Sequence, residues 1–401
     1  MANVSSSNGL EKRPRLAFRN IDGSRFPCWR QTSLGCIIEP YSEKVYGEHD
    51  YEVLTSAREG LQRQVDHFGS KQRHDTDGYN IIPFGYCTYR NRSDDGKFAF
   101  NINTISEKAI VSKFYPVFRF TNANSTFMAE FLNSSPRVKK KLSVLAVGTS
   151  QVVLSFEALK AAKFDLPCKD EQDKIAAFFE CLNTRIENQR TLVAALKKYK
   201  RGVMRAIFRD KSFVFSKATD WKPIRLGDEC MFFSGGTPKS TDSSYYRGSI
   251  PFIRSGEIHG EKTELFLTEA GLQNSSAKMV SKGDLLIALY GATSGEVDIS
   301  KIDGAINQAI LCIRPYDMSK QYLRYLLEDS KDDIINTYLQ GGQGNLSAEI
   351  IKNLRVDMPD STAQSSVVEF LSMIERRIEM SVAEYEQIQA MKRSLMQQLF
   401  I

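Results

Sequence analysis

Asp165-Leu-Pro-Cys-Lys-Asp-Glu-Gln172 is followed 192 residues later by a counterpart, Asp357-Met-Pro-Asp-Ser-Thr-Ala-Gln364. At this offset Gln151–Phe208 aligns without a gap with Gln343–Phe400, and 16 of the 58 positions are identical. The same offset pairs residues near the start of each half, namely Trp29 with Trp221, Leu34 with Leu226, and Gly35 with Gly227. A fixed offset at both ends of the halves indicates that the chain is a tandem repeat.

The region between these anchors differs between the two halves. Val45–Gly148 and Gly236–Gln340 share no convincing run of residues. We therefore expect a repeated frame that holds two variable domains.

A long helix is predicted to follow the proline of each repeated stretch. The residue before a proline favours extended geometry, so a helix is expected to begin after Pro167 and after Pro359. Asp170-Glu-Gln-Asp173 places acidic side chains in the first turn of one helix, where the helix dipole favours them. Ser361-Thr-Ala-Gln364 has the spacing of a capping box for the other helix.

Both helices carry a stripe of residues at alternating steps of three and four, which is typical of a coiled-coil seam. The apolar seam positions are Phe179, Leu182, Ile186, Val193, Leu196, Val203, Ile207, Leu371, Ile374, Ile378, Tyr385, Ile388, Leu395 and Leu399. The seam is interrupted by polar residues at matching places, Gln189 with Ser381 and Lys200 with Lys392, which we expect to fix the register. The alternative is that each helix packs only on its own domain.

Connectivity predicts that the two helices run antiparallel. The first helix ends at Phe208, 13 residues before Trp221 opens the second domain, and the second helix leaves that same domain at Pro359. Asp170–Phe208 corresponds to about 58 Å of helix. We expect this rod to hold the two domains at opposite ends, related by a pseudo-twofold axis.

The predicted fold class is α+β, with strand-rich domains at residues 1–168 and 210–359 and long helices at 169–209 and 360–401. Short apolar runs punctuated by glycine and proline predict strands at 81–85, 250–254, 284–290 and 309–314. Helices are predicted near Lys320–Thr337 and Ser125–Asn133.

Composition places the chain among folded proteins of two or three domains. It has 401 residues, of which 42% are hydrophobic and 25% are charged. No apolar run is long enough to span a membrane, and the polar N-terminus lacks a secretory signal, so we expect a cytoplasmic protein with no membrane partner. The seven cysteines contain no Cys-x-x-Cys pair and are interpreted as reduced, buried thiols. The net charge of +6 arises in the first half of the chain, since the second half is mildly acidic.

No catalytic motif is found in the sequence. The four histidines have no metal-binding spacing, so no metal site is predicted. Ser234-Gly-Gly-Thr-Pro-Lys-Ser240 lacks the spacing of a phosphate-binding loop, and Pro238 removes one amide donor. We predict that the chain has no catalytic residues and is not an enzyme.

The order of several short motifs resembles the specificity subunit of type I restriction-modification systems. In the second half the motifs are Trp221-Lys-Pro-Ile-Arg-Leu-Gly-Asp228, Gly235-Gly-Thr-Pro238, Gly283–Gly291, Ile306-Asn-Gln-Ala309, Gly342–Ser347 and Asp357-Met-Pro359. In the first half they are Gly60–Gln64, Tyr79–Gly85 and Val111–Phe118. The resemblance covers nearly the whole chain.

The resemblance implies a sequence-specificity subunit that does no chemistry itself. Each variable domain would be a target-recognition domain that reads one half of a bipartite site in double-stranded DNA. The antiparallel helix pair would set the spacer and dock two methyltransferase (modification) subunits, through which restriction (translocase/endonuclease) subunits would join. No cofactor is expected in this chain, because S-adenosylmethionine, ATP and Mg would belong to the partners.

Side chains that match base edges and phosphates suggest which residues contact DNA. In the first domain we predict Arg63, Gln64, Lys71, Arg73, Tyr89, Arg90, Asn91, Arg92 and Lys97. In the second we predict Thr237, Lys239, Tyr245, Tyr246, Arg247, Arg254, Lys278 and Tyr290. Each could equally be a solvated surface charge or a packed aromatic, and Asn307 and Gln308 are interpreted as structural.

Two further readings of the sequence stay open. The basic run at Lys197, Lys198, Lys200, Arg201, Arg205 and Arg209 could face DNA, a partner or only solvent. The alternative function is a coiled-coil adaptor whose two variable domains bind proteins.

Overall fold

The computed structural model describes residues 14–58, 60–69, 75–211, 221–339 and 345–400. The helices are α1 Gln64–Phe68, α2 Ser125–Ser134, α3 Pro136–Leu145, α4 Phe156–Ala161, α5 Lys169–Phe208, α6 Leu226–Glu229, α7 Glu269–Gln273, α8 Lys320–Leu339, α9 Ala348–Lys352 and α10 Ser361–Leu399. The strands of the first half are β1 Arg30–Ser33, β2 Ile38–Tyr41, β3 Glu52–Ala57, β4 Gly60–Arg63, β5 Asn80–Pro83, β6 Cys87–Tyr89, β7 Arg92–Ser93, β8 Phe100–Ile102, β9 Lys108–Val111, β10 Val117–Phe120, β11 Val152–Val153 and β12 Lys163–Leu166. Those of the second half are β13 Lys222–Arg225, β14 Cys230–Ser234, β15 Tyr246–Ile253, β16 Leu265–Leu267, β17 Lys278–Val280, β18 Leu285–Ala288, β19 Val297–Ile299, β20 Gly304–Ile306, β21 Ile310–Pro315 and β22 Arg355–Met358.

The chain divides into two compact units, and each long helix contributes to both. The first unit is Met1–Arg190 with Ala383–Ile401, and the second is Thr191–Val382. This division differs from the four segments expected from the sequence, because half of each long helix packs with each domain. The strand-rich parts of the first and second units are called the first and second domains below.

The frame of the two domains repeats residue for residue. In the first, β1 pairs antiparallel with β12 so that Arg30 lies opposite Leu166. In the second, β13 pairs antiparallel with β22 so that Lys222 lies opposite Met358. Both pairs are related by the same offset of 192 residues that aligns the sequences.

A glycine in each frame explains one of the repeated identities. A Cβ on Gly35 would lie 3.1 Å from the carbonyl oxygen of Lys160, and a Cβ on Gly227 would lie 3.0 Å from that of Lys352. Since both approaches are tighter than ordinary van der Waals contact, each position favours a residue without a side chain.

The variable regions share one topology although their sequences share no run. Each domain contains two four-stranded sheets, with orders β2-β10-β6-β8 and β4-β3-β9-β5 in the first, and β14-β21-β18-β19 and β16-β15-β20-β17 in the second. In each domain one central strand runs parallel to a neighbour. This is β9 beside β3 in the first domain and β20 beside β15 in the second. The two unmatched sequences therefore fold alike, because a buried strand position needs an apolar side chain of suitable size and not one particular residue.

The long helices pack against each other within each unit. In the first unit the start of α5, at Phe179 and Leu182, shares a core with Leu399 and Phe400 at the end of α10. In the second unit the end of α5 shares a core with the start of α10; the residues are Val203, Met204, Ile207, Val367, Leu371 and Ile374. The predicted antiparallel pairing is thus confirmed inside each unit. All fourteen predicted apolar seam positions are buried or half-buried.

A buried glutamine anchors the start of each long helix in the same way. The Gln172 side-chain Nε2 donates to the carbonyl of Pro167 at 2.9 Å, and its Oε1 accepts from the backbone N–H of Asn124. Its counterpart Gln364 donates to Pro359 at 3.0 Å and accepts from the backbone N–H that precedes α8. This use of Gln364 means that the predicted capping box does not form.

The N-cap of α10 is Asp360, one residue before the predicted cap. Its Oδ1 accepts a hydrogen bond from the N–H of Ala363 at 2.9 Å. The error arose because aspartate and serine both cap helices well and stand side by side here.

The two polar lysines of the seam tie the helices to the domains. Lys200 donates to Glu375 on α10 at 2.7 Å and to Glu328 on α8 at 2.6 Å. In the first unit, Lys392 donates to Asn183 on α5 at 2.6 Å and to Glu130 on α2 at 2.9 Å. Each lysine therefore joins the opposite long helix and a helix of its domain.

The structure also bears on two expectations for the chain, the absence of a membrane-spanning segment and the burial of the cysteines. Among the described residues, no helix is both long and apolar enough to cross a membrane. None of the seven cysteines, all of which lie in the described residues, forms a disulfide bond; Cys36 and Cys181 are exposed, so the expectation of buried thiols is wrong for these two.

Candidate nucleic-acid interface

The two domains present equivalent segments at the ends of their parallel central strands. The first tip is Ser112–Pro116, which follows β9, and the second tip is Asn307–Ala309, which follows β20. Val111 lies opposite Asn80 in the first domain, and Ile306 lies opposite Lys278 in the second. The shared topology therefore places the two tips at corresponding edges.

The first tip is held in place by a buried asparagine. Asn80 is only 8% exposed, and its Nδ2 donates to the carbonyl oxygens of Tyr115 at 2.9 Å and Lys113 at 3.3 Å. The Thr88 hydroxyl donates to the carbonyl of Pro116 at 2.8 Å. Because buried polar groups rarely lack partners, these bonds fix the path of the backbone.

The first tip exposes an aromatic ring between two cations. Phe114 is 50% exposed, with the Arg92 guanidinium 5.1 Å and the Lys113 ammonium 5.7 Å from its ring centroid. Positive charge around an exposed apolar ring suits a polyanion that also carries apolar groups, such as DNA with its thymine methyls.

The predicted run Tyr89–Arg92 separates into buried and exposed members. Arg92 is exposed and contacts the ring of Phe114 in the first tip. Arg90 is exposed beside Tyr115; burial raises the pKa of the Tyr115 phenol, and the Arg90 charge opposes that rise. Tyr89 is 0% exposed and donates to the carbonyl of Leu154 at 2.9 Å. The prediction that Tyr89 contacts DNA is therefore wrong, because the side chain is part of the core. Asn91 is half-buried.

The other cations predicted in the first domain form surface ion pairs. Arg63 pairs with Glu52 at 2.5 Å, at the end of β4, and Gln64 begins α1 beside it. Lys97 lies 3.3 Å from Asp95, whose pKa falls to about 2 because Ser93 and then Lys97 donate hydrogen bonds to it. Surface pairs of this kind contribute little to stability. The predicted Lys71 and Arg73 lie outside the described residues.

The second tip is built against a glycine-rich segment. A Cβ on Gly235 would lie 1.8 Å from the carbonyl oxygen of Ile306, so only glycine fits there. The next amide, Gly236 N–H, donates to the same carbonyl at 3.3 Å. This close approach brings Thr237 to the tip, and its hydroxyl donates to the Gln308 Oε1 at 2.6 Å.

Several predicted residues of the second domain surround this tip. Lys278 and Lys239 are exposed, and the Tyr246 hydroxyl donates to the carbonyl of Pro238 at 2.8 Å, which holds the segment that carries Thr237. Tyr245 is half-buried beside Tyr246. Arg247 is exposed with φ at +63°, a left-handed conformation that a non-glycine residue seldom adopts.

Two predictions in the second domain fit a structural role better. Arg254 is bound by two carboxylates, Glu257 at 3.0 Å and Glu264 at 2.5 Å, and hydrogen bonds from these groups raise its pKa further. Its charge is already neutralised, which disfavours a phosphate contact. Tyr290 is half-buried against the core of the second unit.

The basic run on α5 is only partly free. Lys200 is in the seam network described above, and Arg209 pairs with Asp329 at 2.8 Å and Asp333 at 2.9 Å. Lys197, Lys198, Arg201 and Arg205 are exposed. In the described part of the chain, no group of three or more His, Cys, Asp or Glu side chains could hold a metal ion.

Sequence reasoning did not select Lys113, Phe114 and Gln308, which the structure places at the two tips. Lys113 and Phe114 were assigned to a motif and Gln308 to an apolar strand. All three follow directly after a buried strand, and a polar or aromatic residue immediately beyond an apolar run was the signal that could have identified them.

Comparison with known proteins supplies the context for these edges. The model of the type I restriction modification DNA specificity domain matches residues 40–198 and 218–390. The putative type I restriction enzyme MjaX specificity subunit of Methanocaldococcus jannaschii is 25% identical over 253 residues, which are 59% of this chain and 58% of that protein. The MjaVIII specificity subunit of the same organism is 26% identical over 256 residues, 58% of this chain and 60% of that protein. Each alignment thus spans less than two thirds of the relative.

Solved structures agree over nearly the full length. The type I restriction-modification S subunit from M. genitalium matches with a TM-score of 0.61 and 16% identity, covering 97% of this chain and 99% of that one. A chain from a study of complex assembly and conformational transition in the type I R-M system matches with a TM-score of 0.59 and 17% identity, covering 93% and 97%. At this identity the likeness shows a shared fold.

Proposed function

The chain belongs to the type I restriction-modification DNA specificity family, and on that premise we propose that it selects the DNA sequence on which a methyltransferase complex acts. One observation supports the proposal most strongly: the two domains repeat the same fold but have different exposed residues at their tips. The two domains have one topology and equivalent frames, and the exposed residues at their corresponding edges differ. A protein that reads two different half-sites needs this combination.

We assign no catalytic step to this chain. Phosphate contacts would come from exposed cations such as Arg90, Lys113, Lys239 and Lys278, and these position a protein on DNA without reading its sequence. Modification would be performed by two methyltransferase subunits that supply S-adenosylmethionine, and ATP and Mg would enter with restriction subunits.

The exposed side of α5 supports a docking role for the helix pair. Leu192 is 37% and Tyr199 53% exposed, one heptad apart. A shallow groove beside them is lined by Ala195, Lys198, Tyr199, Gly202, Val203 and Ala206. Exposed apolar surface of this kind marks protein interfaces, so we assign it to a methyltransferase partner.

The direct test is DNA binding by the chain in complex with its methyltransferase partner. The bipartite site is first read from the modified adenines in the genome of a cell that expresses the complex. Duplexes with this site and with both half-sites scrambled are then titrated at several salt concentrations. We expect a preference of at least about a thousandfold for the intact site. Equal affinity for both duplexes would instead support a protein-binding adaptor.

The role of the helices as a spacer has its own test. Inserting one heptad at matching positions of α5 and α10 adds about 10 Å of helix, which is about three base pairs of duplex. We expect the unread spacer of the recognised site to lengthen accordingly. An unchanged spacer in a well-folded variant would contradict the spacer role.

A further inference from the structure

We propose that Gln308, held by Thr237, reads an adenine in the half-site of the second domain. This inference rests on the proposed function, and it reverses the interpretation of Gln308 as a structural strand residue. It names a specificity-determining side chain and the base that it recognises.

Gln308 is exposed, and its side-chain amide is hydrogen-bonded to the Thr237 hydroxyl. Its Oε1 accepts a hydrogen bond from the Thr237 hydroxyl at 2.6 Å, which leaves the Nε2 donors and one lone pair of Oε1 unused by this bond. A glutamine amide recognises adenine by donating to N7 and accepting from the N6 amino group. The free groups of Gln308 are therefore the donor and the acceptor that this pairing needs.

The backbone on both sides of this pair is fixed. Gly235 and Gly236 lie against Ile306, and the Tyr246 hydroxyl holds the carbonyl of Pro238. On the other side, Asn307 Oδ1 accepts from the N–H of Ala309 at 3.1 Å, which turns the chain back into β21. A side chain held by a rigid backbone loses little conformational freedom when it binds a base.

The surroundings suit a major-groove contact. Lys278 and Lys239 are exposed on the segments that flank the tip, where they can contact phosphates on either side of a base. The equivalent tip of the first domain exposes Phe114 between Arg92 and Lys113, so both domains present binding chemistry at this edge.

The experiment combines a protein change with a change of a single atom in the DNA. The full complex is titrated with duplexes of the identified site in which each adenine in turn is replaced by 7-deazaadenine, which lacks the N7 acceptor. For the unaltered protein we expect one such replacement, in one half-site, to weaken binding about tenfold. With Gln308→Ala that same replacement is expected to have no further effect, because the partner of N7 is already gone.

Matched controls separate this role from general damage. Thr237→Val should reduce the effect of the sensitive replacement, since the amide is no longer oriented. Thr241→Val removes a hydroxyl from the same loop, and Gln273→Ala removes an exposed glutamine from the same domain; both should leave the tenfold effect intact. If every 7-deazaadenine effect persists in Gln308→Ala, the adenine assignment is overturned while the bipartite site itself remains. If the unaltered complex shows no site preference at all, the proposed function fails first.

Discussion

The two domains share both of their four-stranded sheets and differ at the tip. The first tip carries two cations around an exposed ring, whereas the second carries an uncharged pair, Thr237 and Gln308. The shared sheets show that a fold can be kept by buried strands alone. The difference lies in exposed residues that the core does not constrain, and the proposed recognition depends on them.

The largest expected effect concerns the lysines that join helix and domain. Lys200→Ala removes the ammonium that both Glu328 and Glu375 contact and leaves these two carboxylates to share one cation, Arg324, so it should destabilise the second unit by about 3 kcal/mol. Lys392→Ala leaves one carboxylate, Glu130, which keeps a hydrogen bond from Asn183, so the first unit should lose only about 2 kcal/mol.

Denaturant-induced unfolding, monitored by hydrogen exchange in each unit, measures these two losses of stability. Lys197→Ala, on the exposed side of the same helix, should change stability by less than about 0.5 kcal/mol. Equal losses for the two seam lysines would show that the networks are equivalent in spite of their different partners.

The second prediction concerns the close approach behind the second tip. Gly235→Ala places a Cβ against the carbonyl of Ile306, and should cost about 2 kcal/mol and abolish reading of one half-site. Gly256→Ala is the control, because no atom lies within 4 Å of its added Cβ. The readout is unfolding together with the pattern of modified adenines. If the complex that contains Gly235→Ala still modifies both half-sites normally, the explanation that close packing holds the second tip rigid is refuted.

The third prediction concerns the anchor of the first tip. Asn80→Ala leaves the carbonyls of Lys113 and Tyr115 without their side-chain donor and should cost about 1.5 kcal/mol. Hydrogen exchange of the backbone amides near 112–116 should accelerate. Recognition should weaken only for the half-site assigned to the first domain. Asn188→Ala, exposed on α5, should do neither. A change in both half-sites would contradict the independence of the two domains.

The smallest expected effect is a pH dependence confined to the second unit. The hydrogen bond from His259 to Asp298, at 2.8 Å, raises the histidine pKa above its ordinary value of 6.5, and Glu296 also faces the ring. The pKa values of Asp298 and Glu296 are lowered, so both carboxylates stay charged. Stability from this contact is therefore complete below pH 6.5 and declines as the pH rises through the raised pKa.

Because His259 is half-exposed, solvent screening limits the loss to below about 0.5 kcal/mol. As the pH rises from below 6.5 through the raised pKa of His259, the melting temperature of the second unit should fall slightly in the unaltered protein and not in His259→Gln. A fall of equal size in both proteins would assign the effect to other groups.

Much of the fold could be predicted because the residues that repeat are buried residues and residues that form turns. The fixed offset identified the long helices, the seam and the glycines that approach Lys160 and Lys352. The common sheet topology could not be predicted, because any apolar residue fills a buried strand position. The cap at Asp360 was missed since two good cap residues are adjacent.

The tips were harder to predict for a related reason. Tyr89 and Arg92 stand three residues apart in one polar-aromatic run, yet one is in the core and the other is exposed. All three residues of β6 are buried, whereas Arg92 is the exposed residue of β7, and strands this short give too few residues to predict which side chains are buried. Gln308 was overlooked because its partner Thr237 is distant in sequence.

The pairing of β1 with β12 and of β13 with β22 has a consequence for inheritance. Because the first and last strands of a domain are hydrogen-bonded neighbours, everything between them can be exchanged by two crossovers without disturbing the rest of the polypeptide. A gene built in this way can acquire a new target in one recombination event, and its partners need not coevolve with the change.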